Sequence, residues 1–265
     1  MEESVRMDTK KIRSKIFVVG FDKFPLIEFS KDKFYRRLIV GNHIDRVIGT
    51  NDYRDDIGDN ISAKNKYYSE LTATYWIWKN KDLEIYGLCH YRRFFRVKHH
   101  LLKRNEAITI LSKHQVIVSE KTFISKNIAD AQADGLGREP IKLIREIIKT
   151  KSPRYLEGYD EVMSSSELHP RNMFVMKKEL FFDYCDFVFG ILEEAEPLLE
   201  YHTNIIKNGV EDQRVLGYLA EPLLDTWIST NKINFYELPL RQREMGAIKF
   251  FRWLVSNLLA KMHLK

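Results

Sequence analysis

Short apolar runs that end in polar residues alternate with amphipathic segments along this chain, and that alternation constrains the fold more than any other feature. The runs at 16–20 (IFVVG) and 115–119 (QVIVS) are as short as buried strands and rich in β-branched residues. The segment at 62–80 instead repeats its apolar residues at helical spacing. The alternation predicts an α/β fold, with a mostly parallel central sheet flanked by helices and a ligand crevice at the carboxyl ends of its strands.

Other segments complete the predicted layout. The stretch 120–138 is polar and mixed and predicts a loop, and 211–229 predicts a helix that is interrupted or kinked at Pro222. No segment rich in Pro, Gly or Ser divides the 265 residues, so we predict a single domain over 1–240. Residues 241–265 predict a basic amphipathic helix at the C-terminus.

The net charge of +6 is concentrated at the end of the chain. Residues 241–265 contain six Lys or Arg residues against Glu244 alone, which leaves the rest of the chain nearly neutral. A nearly neutral body without a recognised nucleic-acid motif predicts no nucleic acid as partner. The basic, aromatic and amphipathic end is typical of a helix at an anionic membrane surface. A helix packed on the domain or on a second copy is the alternative.

The cysteines and the hydropathy exclude several protein classes. Cys89 and Cys185 are the only cysteines, too few for a disulfide framework or a cysteine-based zinc site, and we expect both in the core. No run of 18 apolar residues could span a membrane, and the first residues contain no signal-peptide core. We therefore expect a reduced, cytoplasmic compartment.

Cationic side chains follow the apolar strand predicted at 84–93. His90, Arg92 and Arg93 come directly after the buried run, where a strand end points into the crevice. Adjacent residues of a strand face opposite sides of the sheet, so one of the two arginines is expected to be structural.

Two of these segments form a family pattern. The sequence DNIS-x-KN-x-x-Y-x-ELT-x-x-YW-x-WKN, a short spacer and GLCHYRRFF resemble the bacterial capsular and exopolysaccharide glycosyltransferase family first catalogued as a domain of unknown function. The resemblance extends to RNMFVMKKELFFDYCDFVFGIL and EDQRVLGYLAEPLLDTWI, and so covers most of 16–240. Arg171 replaces a tyrosine of the family pattern, and Asp22-Lys23 replaces a His-Lys pair.

This resemblance implies a GT-A-like enzyme that transfers a sugar from a UDP-sugar. It also implies a polyprenyl-diphosphate-linked saccharide acceptor in capsule, O-antigen or exopolysaccharide synthesis, and a peripheral position at the inner face of the bacterial membrane. Galactofuranose or galactose is the sugar that we expect from the family likeness. The alternatives are a retaining transferase of the same pathway, or a non-catalytic nucleic-acid or scaffold module that uses the basic end.

The diphosphate that leaves such a donor needs positive charge, from a divalent metal or from Arg and Lys. GT-A enzymes usually hold the metal with Asp-x-Asp, which this sequence lacks, and His90-Tyr91-Arg92-Arg93 stands in the expected place. We therefore predict that cationic side chains replace the metal. Mg²⁺ or Mn²⁺ recruited by the acids of the 52–59 loop is the alternative.

Further donor contacts are predicted near the first strand and near the start of the helix at 62–80. Helix starts offer unpaired N–H groups to anions, and the end of the first strand is where uridine is expected. The residues in this set are Lys64, Asn65, Asn60, Lys79, Phe21 and Lys23.

We predict that transfer inverts the configuration at the anomeric carbon, which requires a base that takes the hydroxyl proton of the acceptor. Glu211 and Asp212 lie at the predicted start of the helix at 211–229, where the helix dipole favours ionised carboxylates. We predict Asp212 as the base and Glu211 as an acceptor or capping contact. We also predict acceptor contacts for His169 and Asn172.

Overall fold

The structure is a computed structural model that describes residues 12–20, 33–41, 52–199, 205–207 and 210–242; the side chains of 205–207, 210–212 and 241–242 lie outside the description. The strands are β1 (Ser14–Gly20), β2 (Tyr35–Ile39), β3 (Tyr53–Arg54), β4 (Ile85–His90), β5 (Arg93–Val97), β6 (His100–Leu101), β7 (Val116–Ser119), β8 (Thr122–Phe123), β9 (Glu167–Leu168), β10 (Phe174–Lys177), β11 (Ile205–Lys207), β12 (Val210–Asp212), β13 (Phe235–Leu238) and β14 (Leu240–Gln242). The α-helices are α1 (Asn65–Tyr68), α2 (Leu71–Asn80), α3 (Arg104–Leu111), α4 (Ile128–Leu136), α5 (Arg138–Lys151), α6 (Leu156–Ser164), α7 (Lys178–Leu199) and α8 (Val215–Thr230).

The central sheet is mostly parallel, as predicted. Its strand order is β13-β7-β10-β4-β1-β2-β3. β10 runs antiparallel to its neighbours β4 and β7, whereas the other neighbouring strands of this order pair in parallel. In β1, Ile16 and Val18 belong to one buried cluster, and Phe17 and Val19 to the other. Both faces of the sheet are covered, which is why the strands are continuous apolar runs in the sequence.

Helices pack on both faces of this sheet. On one face α2, α7 and α8 contribute Leu71, Phe181 and Trp227 to the larger buried cluster. On the other face α3 contributes Ala107 and Leu111 to the smaller cluster. The protein therefore has a mixed α/β fold with a mostly parallel sheet flanked by helices.

The direction of strand addition reverses at β1. The chain proceeds from β1 outward to β2 and β3 on one side, and then returns to place β4 on the other side of β1. Loops that leave two parallel strands at such a point diverge, and a crevice forms at the carboxyl ends. Here the two strands end at Gly20 and His90.

The helix predicted over 62–80 is broken in the middle. A 3₁₀ turn at Ser62–Lys64 leads into α1, and α2 begins only at Leu71. Between the two helices Ser69 has φ 53° and ψ −130°, outside the helical region. The apolar spacing of both helices continues across this break, so periodicity alone could not detect it.

The prediction of a loop at 120–138 is wrong, because this stretch contains β8 and α4. Asn127 caps α4, since its side-chain oxygen accepts a hydrogen bond from the backbone N–H of Asp130 at 2.7 Å. Only Ile128 of α4 is buried. A helix with so little apolar surface in the core gives a weak periodic signal.

The predicted helix at 211–229 begins later and is not interrupted. α8 starts at Val215, while Glu211 and Asp212 belong to β12, which pairs with β11 in an antiparallel hairpin. The helix dipole argument for these two acids is therefore wrong. α8 continues through Pro222 as a single helix.

The proline leaves one helical carbonyl without its usual partner, and another helix supplies it. Pro222 has no N–H for the carbonyl oxygen of Tyr218, four residues earlier. The side-chain amide of Gln132 on α4 donates to that oxygen at 2.6 Å. A contact between distant parts of the chain thus lets α8 pass through the proline.

The basic amphipathic helix predicted over 241–265 lies outside the described residues, apart from the backbone of β14. This strand spans Leu240–Gln242, pairs with β5 and so crosses the predicted boundary at 240. Of the helices that the structure describes, none is long and apolar enough to cross a membrane.

Candidate active site

A cleft of about 720 Å³ opens beside the carboxyl end of β4, at the edge of the sheet where the strand order predicts a crevice. Its lining contains a polar, strongly cationic set of residues, called the polar wall below, and an apolar set, called the apolar wall. The polar wall contains Ser69, Glu70, His90, Arg92, Arg93, Arg171, Arg214 and Glu221. The apolar wall contains Ile124, Ile128, Ala131, Leu136 and Leu168.

Arg92 and Arg93 both line this cleft because the strand predicted at 84–93 ends early. β4 stops at His90, a tight turn follows, and β5 begins at Arg93 directly opposite His90 in antiparallel pairing. The guanidinium carbon of Arg92 lies 4.8 Å from the ring centroid of Tyr91. The two arginines therefore do not face opposite sides of one continuous strand, which was the premise for expecting one of them to be structural.

Arg171 reaches the same cleft from a strained turn. The 3₁₀ turn Pro170–Asn172 precedes β10, and within it Arg171 has φ 71° and Asn172 has φ 49°. Two consecutive non-glycine residues in the left-handed region cost free energy and persist only where their surroundings hold them. The carbonyl oxygen of Arg171 lies 3.0 Å from Nε2 of His90, which donates to it.

The arginines of this wall repel one another. Across the described ranges, no carboxylate lies within 4.0 Å of the guanidinium groups of Arg92, Arg93 or Arg171. Burial lowers the pKa of the Arg93 guanidinium below its ordinary value, and repulsion from Arg171 and Arg92 lowers this pKa further, partly offset by Tyr91 and Glu221. An arginine stays charged even so. A bound anion with several charges would relieve this repulsion.

Four of the predicted donor contacts lie away from the cleft wall. Lys64 forms an ion pair of 2.7 Å with Glu196 on α7. Asn65 is buried and donates to the Thr72 hydroxyl at 2.8 Å. The Asn60 amide donates to the carbonyl oxygen of Gly58 at 2.7 Å. These contacts hold α1 and the loop before it in place.

The fourth residue of that set is Lys79. Its ammonium nitrogen lies 3.3 Å from the ring centroid of Trp78, on the exposed side of α2. Phe21 and Lys23 lie outside the described residues. The backbone of Glu211 and Asp212 belongs to β12, and their side chains lie outside the described part of the chain.

His169 and Asn172 are buried and hold the Arg171 turn. The backbone N–H of His169 donates to Asp225 at 2.7 Å, and its ring contacts Asp225 through Nδ1 and Glu237 through Nε2. The Asn172 amide donates to Oε1 of Glu70 at 3.0 Å. Neither residue is part of the cleft wall, so the structure places both behind the wall rather than at its surface.

The loop acids that were the alternative metal ligands are each engaged by the protein. Asp52 pairs with Arg37, and Asp56 with Arg54, while Asp59 accepts a hydrogen bond of 3.2 Å from the Tyr75 hydroxyl. Asp55 is buried and accepts hydrogen bonds from the Ser62 hydroxyl and from a backbone N–H. In the part of the chain that the structure describes, no group of three or more His, Cys, Asp or Glu side chains is arranged to hold a metal ion.

Comparison with known families identifies this architecture. Residues 15–232 match the model of a family described as Domain of unknown function (DUF4422), which is more than half of the chain. The chain belongs to this family. No curated protein matches it significantly.

One solved structure is similar to this DUF4422 chain over most of its length. It is described as the apo structure of the WbbM bifunctional glycosyltransferase, with a TM-score of 0.73 and 26% sequence identity. The similarity covers 88% of this chain and 46% of that chain, so the chain spans less than half of its solved neighbour. The α/β fold described above is therefore also found in a glycosyltransferase.

Five residues of the polar wall of the DUF4422 cleft were not predicted as site residues: Ser69, Glu70, Arg171, Arg214 and Glu221. Arg171 was noted only as a departure from the family pattern, and that departure was the available signal, because a new cation beside a strand is a candidate anion ligand. Glu70 lies inside the ELT motif. Only the break at Ser69 turns it into the cleft, and nothing local in the sequence indicates that break.

Proposed function

We propose that this chain is a glycosyltransferase that moves a sugar from a UDP-sugar to a saccharide acceptor. One observation carries the proposal: Arg92, Arg93 and Arg171 converge on a cleft at the carboxyl edge of the sheet, without a carboxylate within 4.0 Å in the described ranges. Such a cluster suits a nucleoside diphosphate, which carries several negative charges. The structural similarity to a glycosyltransferase supports the same class of reaction.

The proposed reaction needs little covalent chemistry from the protein. The acceptor hydroxyl oxygen forms a bond to the anomeric carbon, and the bond from that carbon to the diphosphate oxygen breaks. The diphosphate leaves with the electron pair, and the developing negative charge is neutralised by the three guanidinium groups. Fixed cations at this position stabilise the transition state more than the ground state, because the charge grows as the bond breaks.

The acceptor proton must pass to a base if the configuration inverts. We assign this role to Asp212, with Glu211 as an acceptor contact. Their hairpin, β11 and β12, lies shortly before α8 in the chain, and the cleft is lined by Arg214 at the start of that helix and by Gly217, Tyr218 and Glu221 within it. The proximity of the hairpin to this wall supports the assignment.

A divalent metal does not fit the donor set of the described residues. The carboxylates of the 52–59 loop are engaged by other residues of the protein. The carboxylates that line the cleft are those of Glu70 and Glu221, and they share this lining with four arginines. We therefore derive no step through Mg²⁺ or Mn²⁺. Charge neutralisation by arginine is the mechanism that these residues support.

The finer substrate assignment rests on the family likeness. We propose galactofuranose or galactose as the sugar and a polyprenyl-diphosphate-linked saccharide as the acceptor, in capsule, O-antigen or exopolysaccharide synthesis. The acceptor would be reached at the anionic inner face of a bacterial membrane. The apolar wall formed by Ile124, Ile128 and Leu168 is compatible with an acceptor that is only partly polar.

A thermal-shift experiment tests the proposal. UDP should raise the melting temperature of the protein, and GDP and CMP should raise it less. No shift with any of the three nucleotides would favour a non-catalytic scaffold or nucleic-acid module instead. The anomeric configuration of the product, determined by NMR, distinguishes an inverting from a retaining transferase.

A further inference from the structure

Glu70 is a carboxylate of the cleft that has no role in the reaction proposed above. Glu70 follows the break at Ser69 and immediately precedes α2, and only 9% of its surface is exposed. Its Oε1 accepts a hydrogen bond of 3.0 Å from the side-chain amide of Asn172. Glu70 nevertheless lines the cleft, so part of the carboxylate is presented to a ligand.

The hydrogen bond between Glu70 and Asn172 joins two strained segments of the backbone. Ser69 has φ 53°, Arg171 has φ 71° and Asn172 has φ 49°, although none of them is glycine. The two segments are 102 residues apart in sequence. Strain that surrounding contacts maintain at a cleft is typical of functional sites, where it fixes side chains in a working geometry.

The second oxygen of Glu70 is the one available to a ligand. No donor in the described ranges lies within hydrogen-bonding distance of Oε2, and this atom is not among the buried polar atoms without a partner. It therefore has access to solvent on the cleft side. Glu221, the other carboxylate of the wall, acts differently, because its charge offsets the repulsion on Arg93.

Charge determines what the exposed oxygen of Glu70 can bind. A carboxylate repels phosphate but accepts hydrogen bonds from hydroxyl groups. Through Asn172 it is coupled to the residue next to Arg171, and so it lies beside the proposed diphosphate site. The hydroxyl-bearing group adjacent to the diphosphate of a sugar nucleotide is the sugar itself.

We propose that Oε2 of Glu70 accepts hydrogen bonds from hydroxyl groups of the donor sugar and thereby selects the sugar nucleotide over the free nucleotide. Asn172 is the positioning residue that holds Glu70 for this contact. The inference rests on the proposed function, since it requires the diphosphate to bind at the arginines. It adds a recognition element for the sugar, which the arginines do not supply.

Glu70→Gln is the discriminating variant. Glutamine can keep its oxygen toward the Asn172 amide and present an NH₂ group where the carboxylate presented an acceptor. Affinity for UDP, measured by calorimetry, should stay within about twofold of the parental value, because the variant leaves the arginines intact. Affinity for UDP-galactose or UDP-galactofuranose, and the rate at which the donor is consumed, should fall about 10- to 100-fold, as expected for loss of a hydrogen bond to a charged group.

Two further variants separate sugar binding from folding. Asn172→Gly removes the amide that holds Glu70, and glycine tolerates the positive φ at this position. It should reduce sugar-nucleotide affinity while UDP affinity is retained. Glu157→Gln, on the exposed side of α6, is the matched control and should change neither affinity.

Each outcome bears on the inference or on the function beneath it. Selective loss of sugar-nucleotide affinity in Glu70→Gln supports the inference. Parental affinity and turnover in this variant would overturn it, as would an equal fall for UDP and UDP-sugar at unchanged melting temperature. A parental protein that binds UDP-sugar no tighter than UDP would also overturn it. A parental protein that binds neither would instead refute the proposed function.

Discussion

Replacing Arg93 with glutamine should have opposite effects on stability and on nucleotide binding. Arg93 is half-buried in the cationic wall and has no ion pair with a described carboxylate. The substitution therefore breaks no ion pair with a described carboxylate. It does remove the repulsion of the Arg93 guanidinium by Arg171 and Arg92, the neighbours that lower the pKa of Arg93. If the cluster exists to bind a diphosphate, the same change must weaken UDP binding.

The two magnitudes can be worked out separately. Two unit charges about 8 Å apart at an effective dielectric constant of about 40 repel by about 1 kcal/mol, and physiological salt reduces this about threefold. Arg93→Gln removes repulsion from two such neighbours and also loses the attraction to Glu221. The free energy of unfolding should therefore rise by about 0.5 kcal/mol, which is about 1–2 °C in melting temperature for a chain of this size. Loss of a charge-assisted hydrogen bond to phosphate costs about 1.5–3 kcal/mol, which is about 10- to 100-fold in UDP affinity.

Calorimetry with UDP and thermal unfolding without ligand measure both effects on the same protein. Arg96→Gln is the matched control, because Arg96 lies on the same strand, is exposed and does not line the cleft. This control should bind UDP within about twofold of the parental protein. Parental UDP affinity in Arg93→Gln, or a clear loss of stability, would refute the reasoning that the arginines form an anion site.

The remaining predictions address the base, the metal, the C-terminus and a buried acid. Asp212→Asn should abolish transfer while UDP still binds, and transfer at the parental rate would show that the base is another residue. EDTA should leave activity intact; activity that is lost with EDTA and restored by Mn²⁺ would contradict neutralisation by arginine alone. Deleting residues 247–265 should weaken binding to anionic liposomes in a sedimentation assay, and equal binding would exclude the membrane role of this segment. Burial raises the pKa of Asp55 above its ordinary value of 3.8, so its ionisation opposes folding and the parental stability should fall as pH rises from that value through the folded pKa. The Asp55→Asn variant lacks this ionisable group. The free energy of unfolding of the variant minus that of the parental protein, measured with urea, should therefore be larger at about pH 7 than at about pH 4. An equal difference at the two pH values would contradict the prediction.

Local sequence patterns predicted much of the sheet and its flanking helices. The run at 16–20 forms the carboxyl-terminal part of β1, and the run at 115–119 contains β7, because strands buried on both faces need continuous apolar residues. The same logic placed His90 at the carboxyl end of β4. The cationic edge of the cleft was therefore visible before the fold was known.

Three other features were not predictable in this way. The polar stretch 120–138 forms α4 although only Ile128 of that helix is buried, and α8 runs through Pro222 with help from Gln132. Glu211 and Asp212 entered a hairpin strand instead of a helix start. At Pro222 a partner elsewhere in the chain outweighs the local preference, whereas α4 has too weak a periodic signal and the hairpin is a local alternative to a helix start.

The sequence by itself determined the class of fold, the edge of the sheet at which the cleft opens and the cationic character of that edge. The tertiary structure decided which cations meet and what else joins them. Arg171 arrives from a turn whose carbonyl contacts His90, 81 residues away. Glu70 is turned into the cleft beside Asn172, 102 residues away. Hydrophobic periodicity is a local property that a sequence displays directly, whereas strained turns exist only because such long-range contacts hold them.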